Sequence, residues 1–119
     1  MRIKKVAEKF EINNVLELPS KNNEMEFYIK NNKINLMEQT IDSIEFAVKH
    51  NLPFVEVFKF NNSDFVITIS EKEYLLNIEH IFKSYIDSEK YELCLRVKKL
   101  QSLLKYLNEK EIEINTIIN

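Results

Sequence analysis

The chain has 119 residues, 45% of them apolar and 30% charged, with a formal net charge of −2. That is the profile of one globular domain, large enough to fold without a disulfide or a metal. Glycine is absent where average usage of ~7% would supply about eight. This excludes the usual phosphate-binding loop, dinucleotide fingerprint and nucleophile elbow, which all need residues without a Cβ.

Further classes drop out on the same grounds. A pI near 5.8 gives no strong global field for nucleic acid or an anionic membrane. The lone Cys94 forbids an internal disulfide and fits a reducing compartment. The basic start, Met1 to Lys5, is followed by a polar stretch rather than an apolar signal core, and no run approaches the ~18 apolar residues that span a bilayer. The expectation is a cytoplasmic protein without a membrane partner. Scarce Gly, Pro, Ala and Arg beside abundant Lys, Ile and Asn fit an AT-rich genome, such as that of an AT-rich bacterium, a phage or another mobile element.

In chain order, Ile3, Val6, Ala7 and Phe10 are spaced for a short helix that must end before Pro19. Met25, Phe27 and Ile29 alternate, predicting a strand over 25–30, closed by a turn at Asn31-Asn32-Lys33. Asn35 and Glu38 look like a capping box, and Met37, Ile41, Ile44 and Val48 form one helical face that Asn51 and Pro53 terminate. Residues 54–60 and 64–70 predict a β-hairpin around Asn61-Asn62-Ser63-Asp64. Ser70 and Glu73 then open a helix with Leu75, Ile78, Phe82 and Tyr85 as its apolar face. After a break at Asp87-Ser88, Leu93, Val97, Leu100, Leu104 and Leu107 form a ridge on a second helix. So short a break predicts an antiparallel helical hairpin, 71–87 and 89–108. The alternating tail, 111–118, reads as a final strand. The whole predicts a single α+β domain over 1–119, with a small antiparallel sheet of three or four strands against three or four helices.

Candidate chemistry is sparse. His50, His80 and Cys94 match no metal-ligand spacing, and Cys94 lies on an apolar helix side where a thiol acts as a small hydrophobe. No pair of carboxylates is fixed as an acid/base couple. No catalytic residue, cofactor or metal is assigned, and the chain is read as a non-enzyme.

Two surfaces stand out. Strict alternation places Phe54, Phe58 and Phe60 on one face of the first hairpin strand and Val55 and Val57 on the other. One face must be core, and the other is too apolar for free solvation. With Tyr91 on the helical hairpin, these phenylalanines are the candidate protein interface, facing a protein partner or a second copy. The alternative surface is Arg96, Lys98, Lys99 and Lys105 on the last helix, with Tyr91 and Tyr106 nearby, which could contact phosphates.

Residues 78–99 also carry an acidic-aromatic turn (Glu89, Tyr91, Glu92), a small residue at Cys94, and Val97-Lys98. This stretch resembles the UVR motif, a helical hairpin used for protein–protein contact. Lys99, Leu95 and Gln101 depart from that pattern, which has Asp, Ala and an apolar residue at those places. The resemblance implies a docking role. The expected function is therefore a small interaction module of the inhibitor, immunity, assembly or phage-accessory kind. The alternative is a small nucleic-acid-associated regulator.

Overall fold

The structure, a computed structural model, describes residues 15–118, with side chains through Glu111. The expected helix over 3–10 lies outside the described residues. The fold is α+β: four helices and a three-stranded mixed sheet among the described residues. In chain order these are β1 (Leu16–Leu18), α1 (Asn22–Asn31), α2 (Lys33–Lys49), β2 (Phe54–Phe60), β3 (Val66–Ser70), α3 (Glu71–Asp87) and α4 (Tyr91–Ile118). The chain gathers into two compact units that divide between Glu71 and Lys72.

In the first unit the hairpin forms as its sequence dictates. β2 and β3 pair antiparallel, and Asn62 takes the left-handed conformation at the turn, φ 55°. The sheet is mixed rather than antiparallel throughout, because β1 joins the far side of β2 in parallel, with Leu16 opposite Phe58 and Leu18 opposite Phe60. The Asn61 amide donates to the Leu18 carbonyl at 2.8 Å, and the Ser20 hydroxyl donates to the Asn61 carbonyl. Pro19 ends the strand, since it has no N–H to continue the ladder.

β2 carries a bulge between Glu56 and Phe58. It decides which residues face inward. Paired residues share a face, so Val55 goes with Ile69, while beyond the bulge Phe58 goes with Ile67. Ile69 and Val55 are core, so Phe58 and Phe60 turn to the core side, as do Leu16 and Leu18 through their pairing with β2. The outer face mixes polar and apolar groups: Glu56 lies opposite Thr68, Glu17 and Lys59 form a surface ion pair at 3.9 Å, and Phe54 and Val66 are exposed on it.

α2 packs on β2 and buries Ile41, Ile44, Phe46 and Ala47. Gln39 Nε2 donates to the Val57 carbonyl at 3.0 Å, which binds the helix to the bulge. α2 ends in a Schellman motif: Asn51 is left-handed at φ 53°, the Leu52 amide bonds the Ala47 carbonyl and the Asn51 amide bonds the Val48 carbonyl. Its start differs from expectation. The helix begins at Lys33 with no side-chain capping bond, so the Asn35/Glu38 box does not form.

The predicted strand over 25–30 is instead helix α1. Asn32 alone separates it from α2, and its side chain bonds back to the Tyr28 carbonyl at 3.0 Å. Alternating apolar residues over five positions also suit a surface helix, because Met25 and Ile29 are one turn apart and Phe27 points away, 72% exposed.

In the second unit α3 and α4 form the expected hairpin-like pair. α3 buries Tyr74, Ile78, Ile81 and Tyr85, and α4 buries Cys94, Val97, Leu100 and Leu104. The Lys98 ammonium lies 5.6 Å from the Phe82 ring centre, spanning the pair. The break is made by Glu89. Glu89 is left-handed at φ 59°, the Lys90 amide bonds the Tyr85 carbonyl and the Glu89 amide bonds the Ile86 carbonyl. α4 therefore starts at Tyr91, two residues later than expected, and runs unbroken to Ile118. The predicted strand over 111–118 is thus helical: nothing between Tyr91 and Ile118 is Pro or Gly, so nothing stops the helix.

Candidate interaction groove and exposed strand edge

The bulge has a direct effect on the expected interface. Phe54, Phe58 and Phe60 do not share a face: Phe54 lies opposite Ser70 on the outer side, whereas Phe58 and Phe60 turn to the core side. Val55 and Val57 are fully buried. Tyr91 is exposed at the start of α4, in the other unit from the phenylalanines. The three phenylalanines named from sequence therefore do not form one patch.

What the fold builds instead is a groove at the end of the core face, about 590 Å³ in volume. Its apolar walls are Leu18 of β1, Met25 and Ile29 of α1, Phe60 of β2, Phe65 of the turn and Ile67 of β3. Each wall has a local cause. Leu18 and Phe60 are partners in the parallel register, so they sit side by side. Met25 and Ile29 lie one turn apart and face the same way. Phe65 follows Asp64 at the end of the hairpin turn, where its amide donates to the Ser63 hydroxyl at 3.1 Å. The remaining lining residues, Ser20, Asn22 and Ser63, are uncharged.

The groove opens beside a free strand edge. The sheet order is β1-β2-β3, so β3 has a neighbour on one side only among the described residues. Phe65, Val66 and Ile67 are all exposed, Phe65 to 77%. From Val66 to Ser70 the edge carries no charge and no proline. Those are the devices by which soluble proteins usually blunt such an edge.

The basic residues are placed differently. At about 100° per residue on α4, Lys98 and Lys105 share one stripe, while Arg96 lies about 160° round the helix from Lys98. Arg96, Lys98, Lys99 and Lys105 therefore do not form a single face. Lys98 is also drawn towards Gln101 Oε1, at 3.4 Å, and over Phe82. Tyr91, Lys99, Ser102 and Tyr106 do fall within one outward arc of the helix.

Among the described residues, no group of three or more His, Cys, Asp or Glu could hold a metal ion, and no helix is long and apolar enough to cross a membrane. Cys94 is buried. The groove was missed from sequence because two of its walls, β1 and α1, were not read as the elements they are. Leu16 to Leu18 is too short a run to signal a strand.

No family model, curated protein or solved structure matches the chain.

Proposed function

We propose that this chain is a non-enzymatic protein-interaction module. It docks an extended, uncharged, apolar segment of a partner protein in the groove and along the edge of β3. One observation carries the reading: six apolar side chains wall an open groove without a charged group in its lining, next to a strand that pairs on one side only among the described residues. Main-chain bonds to such an edge give affinity, and a neighbouring pocket for alternate side chains gives selectivity. A charged ligand would lose its hydration there and gain no ionic partner.

The test compares capture by the wild-type chain with capture by Ile29→Glu and Phe65→Glu, before and after nuclease. Both positions are exposed, so the variants should keep the wild-type circular dichroism. The expected result is a nuclease-resistant protein partner whose affinity falls at least about tenfold in each variant. The competing proposal, a nucleic-acid-associated regulator working through α4, draws on the stripe of Lys98 and Lys105 and the adjoining outward arc of Tyr91, Lys99, Ser102 and Tyr106. It predicts salt-sensitive, nuclease-sensitive capture that Lys98→Glu and Lys105→Glu abolish and the groove variants leave intact. That outcome would replace the docking reading.

A further inference from the structure

The open side of β3 has a definite hydrogen-bonding polarity. The Phe60 amide donates to the Phe65 carbonyl across the end of the hairpin, at 3.4 Å. Backbone groups alternate in direction along an antiparallel strand. Phe65, Ile67 and Ile69 therefore turn their N–H and C=O groups towards β2, and Val66 and Thr68 turn theirs towards the open edge. Whatever covers this edge must itself be an extended strand that offers backbone groups at the same spacing.

β3 meets its own requirement. It is extended and uncharged from Val66 to Ser70 and β-branched from Val66 to Ile69, and its groups point outward at alternate residues. We propose that β3 pairs antiparallel with β3 of a second copy about a two-fold axis through Ile67. This rests on the docking reading above and names the partner at that site. The axis places Ile67 opposite Ile67, Val66 opposite Thr68 and Phe65 opposite Ile69, so no like charges meet. Centring the axis on a residue matches the outward groups of Val66 to those of Thr68. An axis between residues would set outward groups against inward ones. A register one residue further along would draw Glu71, the first residue of α3, into the ladder.

The area sets the strength. The exposed parts of Phe65, Val66, Ile67 and Ile29 come to roughly 400 Å² per copy, at roughly 150–250 Å² for a large side chain. A standard interface buries about 800 Å² per partner. The dimer is accordingly weak and exchanging, with a dissociation constant in the micromolar range.

Sedimentation velocity of the full chain from about 1 to 100 μM spans that range. The expected result is a concentration-dependent shift from monomer to dimer. Thr68→Pro should abolish the shift, because it removes an N–H that points to the open edge and leaves the β2–β3 ladder whole. Ile67→Lys provides a second variant should the proline disturb the hairpin, and it too should be monomeric. Ile67→Cys should give a disulfide-linked dimer on mild oxidation, since the native Cys94 is buried. A wild type that stays monomeric to about 100 μM, or a dimer that survives both Thr68→Pro and Ile67→Lys, overturns the pairing. A monomer that still captures a partner through Ile29 and Phe65 overturns self-pairing alone and leaves the docking reading standing.

Discussion

Glu89 holds its backbone at φ 59°, a conformation that crowds any side chain with a Cβ. In this chain without glycine, asparagine fills the same role at Asn51 and Asn62, where its short side chain tolerates the geometry. Glu89 has no such allowance, yet it sits at the Schellman position that ends α3 and starts the return into α4. Glu89→Gly should therefore raise stability by about 0.5–1 kcal/mol, the relief of strain less the added freedom of the unfolded chain. Urea denaturation would read this as a higher midpoint at unchanged slope. Gln39 is a second residue with reach beyond its own helix. Its amide joins α2 to the Val57 carbonyl at the bulge, so the irregular strand is held by a side chain rather than left to the ladder.

The elements divide by how much their sequence says about them. The hairpin, α2 and the α3–α4 pair were legible because each carries many residues of one period: Ile41 and Ile44 in α2, Ile78 and Tyr85 in α3, Val97, Leu100 and Leu104 in α4. α1 was not, because Met25, Phe27 and Ile29 satisfy two periods at once and no residue of that helix is fully buried to decide between them. As a helix, α1 leaves Phe27 facing water, so Phe27→Glu should change stability by less than about 0.5 kcal/mol. A strand with Phe27 beside Met25 and Ile29 would lose far more, and thermal melts of the variant separate the two. β1 escaped notice for a different reason. Its place is set by a parallel partner some forty residues away, which no local pattern encodes. The groove depends on both of these elements, so the candidate site was the least legible part of the molecule. The helical seam of α4 shows the opposite case. Leu104 is buried and Leu107 is 42% exposed. α3 has 17 residues against 28 in α4, so the ridge read from sequence outlasts its cover.

At the scale of the whole molecule, charge is distributed so that it neither drives nor opposes association at the groove. The net charge is only −2, and neither the groove lining nor β3 carries a formal charge. Binding there should therefore be nearly independent of salt. Raising ionic strength from about 50 to 500 mM, which shortens the screening length to a few Å, should change the dimer constant less than about twofold. Sedimentation at the two salt concentrations checks this. A phosphate-binding surface would instead weaken by orders of magnitude over that interval.

The bulge in β2 makes this strand behave like a reading frame. A period of two has only two phases, and the extra residue at Val57 shifts every later side chain from one phase to the other. Substitutions along β2 act one position at a time, but an insertion past the bulge acts on everything downstream. Removing Val57 would leave a regular ladder with Phe58 still opposite Ile67 and Lys59 still opposite Val66, so that variant should fold with lower stability, having lost one buried side chain. An alanine inserted between Phe58 and Lys59 would instead bring Lys59 in beside Leu18 and turn Phe60 out into water, and its expected product is insoluble. The soluble yields of the two variants measure how far the core depends on a count of residues rather than on their identity.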